Sequence, residues 1–89
     1  MECILVAIRD DLAVRFYSPV VVENEEVAKR YFEDAQKHNE AVAAHPGDYS
    51  LWKLGKIDMK EGQIEGLKCP ELLERGQNGG NIKDFTIQN

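Results

Sequence analysis

The chain begins with two segments that have the hydrophobic pattern of β-strands. Six consecutive apolar residues, Cys3 to Ile8, form a short run rich in β-branched side chains, which is typical of a strand buried on both faces. Two aspartates follow it and predict a turn. A second strand is expected over residues 13–22, where Pro19 lacks an amide donor and marks an edge position or a bulge. The first quarter of the chain is therefore predicted to be a β-hairpin.

A helical period replaces the strand pattern after Asn24. Apolar residues recur at helical spacing from Ala28 to Val42. Asn24 is a good N-cap, and two glutamates occupy the first turn, where the helix dipole favours carboxylates. These signals predict one helix from Glu25 to about Ala43, ended by the Pro-Gly pair that begins at Pro46.

A second hairpin is predicted after the helix. Residues 49–57 form the third strand and residues 63–68 the fourth, with a loop over residues 58–62 in which Gly62 is available for a positive φ. Pro70 is well placed to open a short helical turn through the leucines that follow it. The predicted fold is therefore α+β in the order ββαββ, an antiparallel four-stranded sheet with one helix packed on one face.

The length of 89 residues predicts one domain. We place that domain at residues 1–75 and treat residues 76–89 as a flexible C-terminal tail, because the sequence after Gly76 is rich in glycine and asparagine. Ile82, Phe85 and Ile87 within it are expected to form an extra strand or a disordered segment that orders on contact. One helix covers only part of such a sheet, so the other face is expected to be polar or to bind a partner.

The net charge limits the kinds of partner. Sixteen acidic residues oppose eleven basic ones, which gives a net charge of −5. Strong non-specific DNA binding draws its energy from Lys and Arg that neutralise phosphates. The overall charge argues against a DNA-coating protein, but it leaves room for a local basic strip.

Catalytic, metal and cofactor sites are not predicted. The cysteines Cys3 and Cys69 are far apart and are expected to be free thiols in a reducing compartment. His38 and His45 lie seven residues apart, but zinc requires three or four ligands in tight geometry. The adjacent carboxylates, Asp10 with Asp11 and Glu33 with Asp34, point in different directions along a strand or helix and are not expected to form a catalytic pair. The sequence has no motif for a catalytic nucleophile and none for a phosphate-binding loop. We expect no enzyme activity, no cofactor, no small-molecule substrate and no membrane span.

The candidate binding residues lie in the second hairpin. Residues 49–70 carry four basic and three acidic groups, a charge of +1, whereas residues 1–48 carry five and ten, a charge of −5. Aromatic side chains interleaved with lysines are typical of proteins that bind single-stranded nucleic acid. The alternative is that the aromatic residues belong to the core and that the lysines protect an edge strand. The candidate residues are Tyr49, Trp52, Lys53, Lys56, Lys60 and Lys68.

The same region carries a family resemblance. The run from His45 to Asp58, HPGDYSLWKLGKID, is followed by Gly62, Ile64 and a Cys-Pro-Glu-Leu step at residues 69–72. It resembles the small nonstructural protein of gokushovirus-type microviruses, which are phages with single-stranded DNA. Residues 18–24, with Ala28, Arg30 and Phe32, also resemble that family. The resemblance covers about residues 1–75, and the longer tail departs from it.

The resemblance implies a nonstructural phage protein that acts in the host bacterial cytoplasm and assists viral single-stranded DNA synthesis or packaging. Together with the hairpin lysines it favours single-stranded DNA as the ligand. The alternative function is a protein–protein adaptor that binds a viral replication or capsid protein or a host factor. A homodimer is expected in the first case, since exposed sheet edges pair readily across a two-fold axis.

Overall fold

The sheet is built around the apolar segment at the start of the chain. The computed structural model describes residues 1–77. The elements in chain order are β1 (Glu2–Asp10), β2 (Arg15–Phe16), β3 (Val20–Val22), α1 (Glu25–His38), α2 (Glu40–Ala44), a 3-10 turn (Pro46–Asp48), β4 (Tyr49–Asp58) and β5 (Ile64–Arg75).

All strand pairs are antiparallel. The order across the sheet is β2-β1-β4-β5, and β3 also pairs with β1. On one side β1 therefore pairs with β2 and then β3 along its length, and on the other side it pairs with β4. An antiparallel sheet with one main helix confirms the predicted α+β class.

One face of the sheet packs against α1. Ile4, Val6 and Ile8 point from β1 toward this helix, and Phe32 of α1 is fully buried against them. Leu51 lies directly across from Ile8 on β4 and is also fully buried. The remaining core members are Ala28, Val42 and Tyr49. The apolar residues at three-residue and four-residue spacings on α1 therefore meet the alternate residues of β1 that point toward the helix.

The predicted second strand is interrupted. Residues 13–22 contain two short strands, β2 and β3, separated by an irregular segment that includes Pro19. The turn before β2 is held by the Asp10 carboxylate, which accepts the backbone N–H groups of Leu12 and Ala13 at 3.1 and 3.0 Å. Val14 has a φ of 56°, which is a strained conformation for a β-branched residue. This turn connects β1 to β2, and the irregular segment at residues 17–19 separates that pairing from the pairing of β3 with β1.

The predicted single helix is also divided. Asn39 is extended, with φ −83° and ψ 118°. Its backbone N–H donates to Ala35 and closes α1, whereas its side-chain oxygen accepts the N–H groups of Ala41 and Val42 at 3.1 and 3.2 Å. One asparagine therefore ends α1 and caps α2. The change of direction brings Val42 into the core.

The prediction of a helical turn after Pro70 was wrong. The fourth strand was expected over residues 63–68, but β5 extends from Ile64 to Arg75. Residues 67–70 have no partner in the register with β4, and pairing resumes at Glu71. Pro70 lies within this unpaired stretch, where its missing amide costs no ladder hydrogen bond. Leu73 is left out of the register at a second irregularity and packs against the core.

The predicted loop at the end of the second hairpin is present. Gly62 has a φ of 74°, and its N–H donates to the Asp58 carbonyl at 2.7 Å. The Asp58 carboxylate accepts the N–H groups of Lys60 and Glu61. These two hydrogen bonds favour the ionised carboxylate and lower the pKa of Asp58. The loop is therefore closed by local interactions, as its sequence indicated.

Gly76 and Gln77 are hydrogen-bonded to the rest of the fold. Gly76 donates its N–H to the Tyr49 carbonyl at 2.8 Å, and the Gln77 N–H donates to the Gln36 side chain at 3.2 Å. The predicted tail therefore begins as an attached segment. Ile82, Phe85 and Ile87 lie outside the described residues. Within residues 1–77, no helix has both the length and the apolar character needed to span a membrane.

Two paired glycines give a test of the β4–β5 packing. A Cβ atom at Gly55 would lie 2.5 Å from the Glu65 carbonyl oxygen, whereas a Cβ atom at Gly66, its cross-strand partner, would meet nothing within 4 Å. We expect Gly55→Ala to lower the free energy of unfolding by about 1–3 kcal/mol, because the backbone of β5 must move. Gly66→Ala is the matched control and should change it by less than about 1 kcal/mol. Urea denaturation measures both, and equal effects would contradict the close approach.

Candidate functional site

The six candidate residues of the second hairpin do not form one surface. Val6 pairs with Lys53, Ile4 with Lys56 and Asp10 with Tyr49, so these three β4 residues lie on the face that α1 covers. Trp52 pairs with Ala7 and lies on the opposite face. Lys60 is in the exposed hairpin loop and Lys68 is on the exposed stretch of β5 that has no partner in β4. The structure thus places Trp52 on the face opposite to Lys53 and Lys56.

Glutamates lie beside the two lysines of β4. The Lys53 ammonium lies 3.7 Å from the Glu25 carboxylate at the start of α1, and its side chain is only 15% exposed. Across the hairpin, Glu71 lies opposite Lys53 and Glu65 lies opposite Lys56. Opposite charges in directly paired positions attract each other. These two lysines are therefore compensated within the chain and are poorly placed to neutralise phosphates.

Tyr49 belongs to the core. Its ring is 6.1 Å from the Tyr17 ring, and the two hydroxyls are hydrogen-bonded. This hydrogen bond and burial both favour the neutral phenol and raise the pKa of Tyr49 to about 12. Tyr49 therefore joins the segment before β3 to the start of β4 and does not present its ring to a ligand.

A different group surrounds Trp52 on the face opposite α1. We call it the arginine–tryptophan cluster: Arg9, Asp11, Phe16, Ser50 and Trp52. The Phe16 and Trp52 rings meet edge to face with centroids 6.3 Å apart. The Arg9 guanidinium lies 5.9 Å from each of the two ring centroids, within the range of cation–π attraction.

A chain of polar contacts holds the cluster in place. The Trp52 indole N–H donates to the Ser50 hydroxyl at 2.8 Å, and that hydroxyl donates to Asp11 at 2.7 Å. The same Asp11 oxygen accepts from Arg9 at 2.8 Å. Ser50 is fully buried, so these hydrogen bonds also satisfy a polar group that has lost its water. The arginine and the indole are therefore held in one geometry before any ligand arrives.

The cluster is partly accessible at the open face of the sheet. Phe16 is 37% exposed and Arg9 retains 26% of its side-chain exposure. Across β5, Leu72 lies opposite Trp52 and Arg75 lies opposite Ser50. The surface thus combines aromatic rings, an apolar neighbour and two guanidinium groups. Such a surface can bind flat rings by stacking, and its guanidinium groups can bind a phosphate.

Sequence reasoning found Trp52 and missed its four partners. Arg9, Asp11, Phe16 and Ser50 come from β1, the following turn, β2 and β4, and no spacing along the chain relates them. The one available signal was the pair of predicted hairpins. Aligning β1 with both neighbouring strands would have placed Arg9 beside Phe16 and Ser50.

The histidines do not assemble with metal ligands. Among residues 1–77, no three His, Cys, Asp or Glu side chains are close enough to hold an ion. His38 is at the end of α1, and His45 follows α2. Cys3 is buried and Cys69 is exposed, both as free thiols.

Comparison with known proteins identifies a protein family whose model matches most of the chain. Residues 3–79 match the family model described as Phage ORF5 protein. No curated protein and no solved structure matches the chain significantly.

The contact between Tyr17 and Tyr49 can be tested by titration. In Tyr17→Phe we expect the pKa of Tyr49 to fall from about 12 toward the ordinary value of 10.0. Since the folded-state pKa is raised, the interaction stabilises the fold fully below pH 10 and is lost as the pH rises through about 12. Phenolate absorbance measures the pKa, and denaturation at several pH values measures the stability. Tyr31→Phe, at an exposed position of α1, is the control. An unchanged high pKa in Tyr17→Phe would contradict the assignment.

Proposed function

The chain belongs to the Phage ORF5 protein family, and on that premise we propose that it is a non-enzymatic accessory protein that binds single-stranded DNA. Membership makes it a phage accessory protein. The finer proposal is that it assists synthesis or packaging of a single-stranded viral genome in the host cytoplasm. The sequence resemblance to the gokushovirus-type nonstructural protein supports this role.

The observation that carries the proposal is the arginine–tryptophan cluster. Single-stranded DNA offers unpaired bases and phosphates to the same surface, and stacking of one base on an aromatic side chain contributes about 1–3 kcal/mol. Phe16 and Trp52 offer ring surface, and Arg9 and Arg75 lie on the same face. The proposal therefore moves the contact from the hairpin lysines to the open face of the sheet and keeps Trp52 at its centre.

The geometry sets the strength of the electrostatic contribution. Arg9 is already paired with Asp11, and the chain has a net charge of −5. If two guanidinium groups neutralise two phosphates, the slope of log K against log salt is about −1.4, since each contact to a single strand contributes about −0.7. Binding is therefore expected to be of modest affinity and dominated by stacking.

Trp52 supplies its own reporter, because it is the single tryptophan of the chain. We expect an oligothymidine to quench its fluorescence at low salt, with the shallow slope given above. Trp52→Ala, followed by anisotropy of a labelled oligonucleotide, should weaken binding by about fivefold or more, since loss of one stacked base costs about 1–3 kcal/mol.

A control variant distinguishes DNA binding at the arginine–tryptophan cluster from DNA binding at the hairpin lysines. The double variant Lys53→Gln, Lys56→Gln removes the charges that lie opposite glutamates and should leave the salt slope unchanged. A slope reduced by about 1.4 in that variant would return the contact to the lysines. No binding by wild type at low salt would end the DNA proposal.

The second candidate function is a protein–protein adaptor for a viral replication or capsid protein or a host factor. It is favoured by the turn before β2, where Leu12 and Val14 are 76% and 68% exposed and Val14 has a positive φ. Exposed apolar side chains on a strained turn are features of binding sites.

The homodimer expected from the sequence also stays a prediction. Among the described strands, β5 pairs only with β4, so its other edge is available for a second copy. Sedimentation of the wild-type protein tests this prediction.

A further inference from the structure

An apolar groove lies at the end of the sheet away from the arginine–tryptophan cluster. It has a volume of about 420 Å³ and is lined by Met1, Cys3, Val21, Val22, Glu23, Val27 and Met59. Met1, Val21 and Met59 are exposed there. Cys3 and Arg9 are six residues apart on β1, which corresponds to about 20 Å along the strand. The groove is therefore a second surface, separate from the proposed DNA contact.

One wall of the groove is an edge strand. β3 pairs with β1 alone among the strands of residues 1–77. Val21 and Val22 of this strand line the groove. A free strand edge beside apolar pockets is the arrangement that binds an extended peptide, because the edge supplies backbone hydrogen bonds and the pockets accept alternate side chains. Exposed methionines are suited to such a surface, since their side chains adapt to different shapes.

The charge around the groove selects the kind of peptide. Glu23 is the charged side chain in the lining. The three segments that form the groove, residues 1–3, 21–27 and 58–60, contain five acidic side chains (Glu2, Glu23, Glu25, Glu26, Asp58). Glu25 is paired with Lys53, which leaves four acidic side chains against the Lys60 ammonium and the N-terminal ammonium of Met1. Such a rim repels nucleic acid and attracts lysine and arginine.

We propose that this groove and the edge of β3 bind an extended segment of another protein in which apolar side chains alternate with lysine or arginine. The apolar side chains enter the groove between Val21 and Met59, and the basic side chains lie over Glu23 and its acidic neighbours. This inference goes beyond DNA binding. It places two binding surfaces at opposite ends of β1, one for a nucleic acid and one for a basic protein.

A labelled short peptide of alternating leucine and lysine is the probe, and anisotropy is the measurement. We expect wild-type protein to bind it, and to bind at least tenfold more weakly both the peptide with glutamate in place of lysine and the peptide with serine in place of leucine. Methylation of alternate backbone nitrogens of the probe should also weaken binding, because it removes the donors needed for strand addition.

Variants of the groove locate the contact. Val21→Thr and Met59→Gln keep the side-chain size and add polarity, and each should weaken the leucine–lysine peptide at least fivefold. Glu23→Gln should reduce the preference for lysine over glutamate peptides. Tyr31→Gln, which changes an exposed side chain of α1 outside the groove lining, is the control and should bind like wild type. Thermal denaturation shows that each variant remains folded.

The outcomes separate this inference from the DNA proposal. Trp52→Ala should leave peptide binding unchanged, so failure of one site does not imply failure of the other. No binding by wild type, equal binding of all peptides, or full binding by both Val21→Thr and Met59→Gln would overturn the inference. So would a wild-type dimer that dissociates in Met59→Gln, since a second copy would then occupy the groove.

Discussion

The structure depends on the need to cover β1 on both faces. Its side chains are apolar on each side of the strand, so neither face can remain in water without a large loss of hydrophobic free energy. Ile4, Val6 and Ile8 are covered by α1. Ala7 points the other way and is nevertheless fully buried, although no helix lies on that side within the described residues.

The arginine–tryptophan cluster provides the second cover. Trp52 lies directly across from Ala7, and Phe16 and Arg9 gather around the indole. The ordered contacts from Arg9 through Asp11 and Ser50 to Trp52 therefore have a structural role as well as a proposed binding role. A surface that must stay rigid to protect the sheet is also preorganised for a ligand, which reduces the entropy lost on binding.

Charge is distributed to match this division. The lysines of β4 lie on the helix side, where Glu25, Glu65 and Glu71 compensate them. The open face has Arg9 and Arg75 beside aromatic and apolar side chains. The groove next to β3 has Glu23 in its lining, and the segments that form it hold more acidic than basic groups. Under the two proposals above, the protein holds a basic partner protein close to a single strand. The net charge of −5 then disfavours non-specific coating of DNA while leaving local recognition possible.

The sequence by itself determined the elements whose signals are local. Four such signals were sufficient to predict the α+β fold: the apolar run of β1, the Asn24 cap, the apolar spacing of α1 and the Asp58–Gly62 loop. Each signal involves residues that are close together in the sequence. The order of the pairing partners, the break at Asn39 and the continuation of β5 beyond Pro70 were not predictable in this way. Each depends on what another segment of the chain supplies: a core that accepts Val42 and Leu73, or a strand that resumes pairing at Glu71.

The binding surfaces belong to the tertiary structure for the same reason. Tyr49, Trp52 and Lys53 are close in sequence, but the alternation of a strand places Trp52 on one face and the other two on the opposite face. Arg9, Phe16 and Trp52 are distant in sequence and meet only because β1 pairs with β2 and β4. Composition determined that aromatic and basic residues were available, and strand register decided which of them share a surface.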